Sequence, residues 1–153
     1  MKDERAALLH WLAAQRRSAL AILDGLSEAD AVRSVVPSGW TPLGMTAHLG
    51  GVERHWFGYA LGGDAAHTPA VAGDPATLAD AVAAYRAEIE RSDALLAGFA
   101  LDDPLTEVPE ELSGEIDTVR DVLLHVIEEI ARHCGHLDIA RELLDGRTGL
   151  GER

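Results

Sequence analysis

The amino-acid sequence predicts an all-α fold, a four-helix bundle. Three observations carry this expectation. Apolar residues recur at spacings near 3.6 in four long stretches, start and stop residues flank those stretches, and no stretch alternates apolar and polar residues as a half-buried strand would.

The first helix is expected over residues 4–26, where Leu8, Leu9, Leu12, Leu20 and Leu23 form a stripe and no Pro or Gly occurs before Gly25. Ser27 to Asp30 can cap a short helical turn, after which Pro37-Ser38-Gly39 breaks the chain. Thr41-Pro42 reads as an N-cap followed by a first-turn proline, opening a second helix that runs to about residue 60. Residues 62–75, rich in Gly, Ala and Pro, read as a loop. Asp74-Pro75 repeats the start signal for a third helix, with Leu78, Val82, Tyr85 and Ile89 on one stripe, ending near Phe99. Residues 101–116 hold two prolines, Gly114 and six acidic residues and read as an irregular connection. Asp117 is expected to cap a long fourth helix through Leu144, which Gly146 ends. No internal repeat or linker divides these elements, so residues 1–153 are expected to form a single domain.

Composition narrows the function classes. Thirteen Lys and Arg against 26 Asp and Glu give a formal charge of −13. Such a field repels a phosphate backbone or an anionic membrane surface unless a basic patch is segregated, and none is visible, so neither nucleic acid nor membrane is an expected partner. The longest apolar runs, such as Val122 to Ile127, are interrupted and far short of the roughly 20 residues of a membrane span. The charged start has no apolar stretch behind it that would make a signal peptide, so a soluble, cytoplasmic protein is expected. Cys134 is the only cysteine, which excludes an intrachain disulfide, and it reads as a small packing thiol. Trp11, Trp40 and Trp56 read as core residues.

Chemistry first appears on the second helix. His48 shares a helical face with Met45, Val52, His55, Trp56 and Tyr59 and is expected to point inward among them, where a buried imidazole needs a partner. Gly44, Gly51 and Gly58 recur every seven residues beside that face, a small-residue seam at which another helix could approach closely. On the fourth helix, taking Glu129 as zero, His125 lies near about −40°, His133 near about +40° and His136 near about −20°. Four groups able to bind a metal thus share one narrow stripe, whereas Glu128, Arg132 and Arg141 lie off it on the expected solvent side.

Geometry selects among the four. At about 1.5 Å per residue, His125 to His136 spread over about 16 Å, and ligand atoms must lie about 2.0–2.2 Å from a zinc-like ion. Neighbours at i and i+4 can converge, which permits His125 with Glu129 or Glu129 with His133, and His133 with His136 is the i, i+3 alternative. The central pair, Glu129 and His133, together with His48 from the facing helix, gives a His₂Glu set with open positions for water or substrate. His125 and His136 are left beside the ligands or facing substrate, as the candidate catalytic groups, with His136 also open as a fourth ligand. A His-Glu-x-x-His run, a paired Glu-x-x-His di-iron pattern and a phosphate-binding Gly-Lys-Ser/Thr loop are all missing from the sequence.

Trp40-Thr41-Pro42, His48-Leu49 and the run His125-Val-Ile-Glu128-Glu129-Ile-Ala-Arg132-His133-Cys-Gly135-His136-Leu-Asp138 together resemble the DinB-like (DinB/YfiT) superfamily of metal-binding four-helix bundles. The commoner members carry two histidines four apart on the last helix, and here Glu129 stands at the first position and His133 at the second. That pattern is similar to the branch related to the N-terminal bundle of mycothiol-dependent maleylpyruvate isomerase, in which His, Glu and His hold a zinc ion. The resemblance implies that His48, Glu129 and His133 hold a divalent metal, zinc first and nickel, iron or manganese as alternatives. It also implies a small-molecule substrate, a low-molecular-weight thiol of the mycothiol type as co-substrate, and a homodimer. Two functions follow as expectations: a metal-dependent enzyme that activates such a thiol or water for transfer, isomerisation or hydrolysis, or a non-catalytic metal-binding stress or interaction protein.

Overall fold

The computed structural model describes residues 3–65, 75–108 and 114–151, and all structural statements concern those residues. Helix α1 spans Glu4–Leu23, the one-turn α2 spans Glu28–Ala31, α3 spans Pro42–Glu53, α4 spans Leu78–Leu96 and α5 spans Val119–Asp145. No strand forms among the described residues; a single antiparallel bridge joins Pro104 and Thr118 in the connection before α5.

Capping chemistry sets most of these ends. The Thr41 side chain accepts from the Gly44 N–H at 3.1 Å with Pro42 in the first turn, as expected. Helix α1 stops earlier than expected, at Leu23, because Asp24 is extended and Gly25 turns left-handed at φ +69°. Helix α4 starts later, at Leu78. Its N-cap is Thr77, which accepts from the Asp80 N–H, and the Glu28 carboxylate of α2 accepts from the Leu78 and Ala79 N–H groups at 2.7 and 3.1 Å. Asp74, the expected cap, lies outside the described residues. The N-cap of α5 is Thr118 rather than Asp117, because Thr118 and Asp121 form a reciprocal capping box. Gly146, at φ +76°, ends α5.

Beyond Glu53 the second helix does not continue as an α-helix. Arg54–Leu61 is wound as a π-helix, the wider form that often occurs beside functional sites. Its terminal carbonyls are satisfied from the connection after α4: Ala60 accepts from the Thr106 and Glu107 N–H groups, both at 2.9 Å, and Leu61 from the Thr106 hydroxyl at 2.8 Å. Gly62 is required here, since a Cβ would lie 2.6 Å from the Gly58 carbonyl oxygen.

Side-chain pairings give the topology. Arg120 at the start of α5 binds Glu4 at the start of α1, and Arg141 near its end binds the Ile22 and Asp24 carbonyls, so α1 and α5 run parallel. Gly50 faces Tyr85, and Arg54 binds Glu88, so α3 and α4 also run parallel. His48 meets His133 whereas Trp56 meets His125, so α3 opposes α5. The result is an up-down-down-up bundle whose core includes Leu12, Ile22, Leu49, Phe57, Tyr85, Leu123, Ile130 and Leu137.

Three sequence expectations change. On α4 the buried stripe is Leu78, Ala81, Tyr85, Glu88, Ser92 and Leu96, one residue away from the Val82–Ile89 register. Arg141 is 2% exposed rather than solvent-facing, because the Ile22 and Asp24 carbonyls hold its Nη1 and Asp145 holds its Nε. Trp11 is exposed, Trp40 is half-buried and only Trp56 lies in the core.

Candidate functional site

His48 sits in the middle of α3, and Glu129 and His133 sit one turn apart in the middle of the antiparallel α5. The α3–α5 packing closes a small triangle. His48 Nε2 is 3.2 Å from Glu129 Oε1 and 3.1 Å from His133 Nε2, and His133 Nε2 is 2.9 Å from Glu129 Oε1. Only this group of His, Cys, Asp or Glu side chains converges in a way that could hold a metal ion among the described residues. Donor separations of this size suit three ligands on one face of an ion with bonds of about 2.0–2.2 Å, meeting at roughly right angles.

Burial grades across the triangle. The side chains are 49% exposed for His48, 24% for Glu129 and 14% for His133. His48 therefore does not point into the apolar core, as its helical face suggested. Ala47, Gly44 and Gly51 beside it are too small to cover it, and it borders an open groove between α3 and α4. Burial pushes the His133 pKa below its ordinary value, and the hydrogen bond and charge of Glu129 offset only part of this. Burial opposes ionisation of Glu129, but hydrogen bonds from His133 and His48 outweigh it and hold the carboxyl below its usual range. A neutral imidazole and an ionised carboxylate are the forms a metal ion requires.

The two remaining histidines of the stripe stand outside the triangle. His136 Nδ1 lies 3.1 Å from His133 Nδ1, on the side of that ring away from Glu129, and its ring lies 5.9 Å from Trp40. It contacts His133 from behind and does not join the three converging atoms. His125 stacks edge-on against Trp56 at 4.7 Å and lines the groove together with His48 and Glu129.

A model of the mycothiol-S-transferase family matches residues 7–146. The chain belongs to that family, which is DinB-like. No curated protein and no solved structure matches the chain. Membership makes the protein mycothiol-related and implies a small-molecule substrate and a thiol. No helix among the described residues is long and apolar enough to cross a membrane.

Two polar features of this family member escaped the sequence reading. Arg16 of α1, 3% exposed, grips the fully buried Glu53 of α3 with two bonds, Nε–Oε1 at 2.8 Å and Nη2–Oε2 at 2.6 Å, and reaches Asp93 of α4 at 2.7 Å. Arg54 Nη1 donates to Glu88 Oε1 at 2.8 Å, and Arg91 holds the same carboxylate from the other side. A signal was available for Glu53, which falls one turn from Leu49 and Trp56 on a face that helical periodicity assigns to the core, where a lone charge demands a partner, whereas Glu88 lies beside the expected Val82–Ile89 stripe and gave none.

Proposed function

We propose that this chain is a metal-dependent thiol transferase that joins a low-molecular-weight thiol of the mycothiol type to a small electrophilic molecule. His48, Glu129 and His133 hold the divalent ion, with zinc the first choice. The observation that carries this reading is the convergence of two imidazole nitrogens and a carboxylate oxygen within 3.2 Å of one another at the edge of an open groove, in a chain of this family. A bound divalent ion supplies Lewis acidity, which favours the thiolate form of a thiol near neutral pH.

The chain's own residues do the rest. His133 stays neutral and Glu129 stays ionised, so one carboxylate balances part of the ion's charge and the site keeps an attraction for an anionic sulfur. His136, in contact with His133 Nδ1, orients that imidazole. His125, in the wall of the same groove, takes up the proton that the thiol loses. The protein works as one domain, in the cytoplasm and as a homodimer; exposed Trp11, Ile139 and Leu143 support self-association, and light scattering that gave a monomer mass at all concentrations would reject it.

The deciding experiment combines elemental analysis with a conjugation assay using mycothiol and a small electrophile. The expected outcome is about one divalent ion per chain, with His48→Ala and His133→Ala losing both the ion and transfer. Full metal content in both variants overturns the ligand set; a metal-loaded protein with no transfer to any electrophile overturns the catalytic reading.

A further inference from the structure

The glycine row Gly44, Gly51 and Gly58 is not the helix seam that its spacing suggested. A Cβ built at Gly51 meets nothing within 4 Å, and one at Gly44 meets only the Thr41 hydroxyl of its own N-cap, at 3.4 Å. Gly58 lies in the π-helical segment and lines a different space, a cleft of about 480 Å³ between that segment and the C-terminal half of α4. The volume is within the range of small-molecule sites. Gly58 and Gly62 lie ten and fourteen residues beyond His48, and among the described residues no histidine or cysteine lines the cleft, so it is separate from the donor triangle.

Its walls divide into an apolar and a polar part. Gly58, Gly62, Ala94 and Leu95 form the first. Ser92 supplies the second. It is 4% exposed, lines the cleft and makes no hydrogen bond through its hydroxyl among the described residues, although a buried hydroxyl ordinarily has a partner. Beside it, Arg91 holds Glu88 through Nε and Nη2 at 3.0 and 2.5 Å, which leaves Nη1 as a further donor.

Charge sorts the ligands. Glu53, Asp64 and Glu88 put three carboxylates around the cleft against the one guanidinium that lines it, so an anion is repelled. A cation finds the buried oxygens taken: both of Glu53 bind Arg16, and both of Glu88 are held by Arg54 and Arg91. Breaking either pair would strand a buried charge. A neutral molecule needs only an oxygen that accepts from Ser92 and Arg91 and a body that suits the apolar walls.

We propose that this cleft is a second ligand site, which takes a compact neutral molecule with an apolar ring body and one hydroxyl or carbonyl oxygen, held at that oxygen by the Ser92 hydroxyl and Arg91 Nη1. It goes beyond the thiol-transfer reading and does not rest on it, because none of the three donor residues lines the cleft.

A proton–nitrogen NMR titration of the full chain, which reads each glycine amide separately, tests this with three probes of one ring system: 2-naphthol, 2-naphthoate and 2-naphthylmethylammonium. 2-Naphthol should shift the Gly58, Gly62 and Ser92 amides saturably in the millimolar range or below, and the two charged probes should bind at least ~5-fold more weakly. Ser92→Ala, which a helix tolerates, should keep the helix content and weaken 2-naphthol binding ~5-fold. Chelation of any bound metal should leave the affinity for 2-naphthol within ~2-fold of its starting value. The site is overturned by shifts centred on Gly44 and Gly51 instead, by no saturable shift at Gly58 and Gly62, or by equal affinity for the three probes. Unchanged affinity in Ser92→Ala, or loss of binding on chelation, overturns it equally.

Discussion

At the level of single residues, the histidine and carboxylate of α5 are already in the forms that bind a metal. Burial lowers the His133 pKa, so its imidazole stays neutral to lower pH than an exposed histidine would, and hydrogen bonds from His133 and His48 keep Glu129 ionised. Metal occupancy should therefore be flat between pH 8 and 7 and fall below about pH 6 as His133 takes up a proton, a course that a metal-sensitive dye can follow. The metal-free protein should also lose stability over that range. A histidine whose folded-state pKa lies below its unfolded value of about 6.5 binds protons more weakly when folded, so acid favours the unfolded chain. Glu129, depressed in the folded state, adds stability above its unfolded pKa that is lost as the pH falls further. Equal denaturant midpoints at pH 7 and pH 5 would contradict this. Cys134 is the opposite case. Burial pushes its thiol up to about 12, with Asp138 adding to the shift, and its Sγ donates to the Gln15 carbonyl at 3.6 Å. As the thiolate is the reactive form, folded protein at pH 8 should resist a thiol reagent such as dithionitrobenzoate, and labelling should appear only in denaturant.

At the level of helices, the Arg16–Glu53 pair ties α1 to α3 where α3 gives way to the π-helix. Burial works against the Arg16 charge, and the hydrogen bonds and charges of Glu53 and Asp93 outweigh it. Removing only Glu53 strands a buried guanidinium, so Glu53→Ala should lower unfolding free energy by about 3–5 kcal/mol in urea titrations. Asp93→Ala, at the solvent end of the same network, should cost under about 1 kcal/mol. Sequence legibility divides along the same line. Local rules act within one helix, so the Thr41-Pro42 start, the Gly146 stop and the Glu129–His133 spacing could be read directly. Features set by a second element could not. Glu28 completes the cap of α4 from another helix, residues 106 and 107 hold the π-helical turns, and the neighbours of His48 rather than its own helical face decide that it is half-exposed. Arg141 leaves the expected solvent face for the same reason, since its partners, the Ile22 and Asp24 carbonyls, are supplied by α1 and its C-cap.

At the level of the whole molecule, the four long helices share one apolar core, and the triangle of donors sits on its edge where α3 meets α5. The buried leucines, isoleucines and valines of that core do not involve His48, Glu129 or His133, so folding should not depend on the metal as it does in a zinc finger. An ion bridging the two helices would bind the folded chain and not the unfolded one, which stabilises by mass action: about 2.7 kcal/mol at a free concentration one hundred times the Kd. For a domain of about 150 residues that corresponds to a Tm rise of roughly 5–10 °C. The chelated protein should therefore give the same far-ultraviolet helix signal as the loaded protein, with a Tm lower by that amount, and adding zinc back should restore it. His136→Ala refines the test, because His136 touches His133 without joining the triangle. That variant should keep most of the metal-dependent rise, whereas His133→Ala should abolish it. Loss of helix on chelation would mean that the site is structural and holds the bundle together; an unchanged Tm would mean that these three side chains bind no ion.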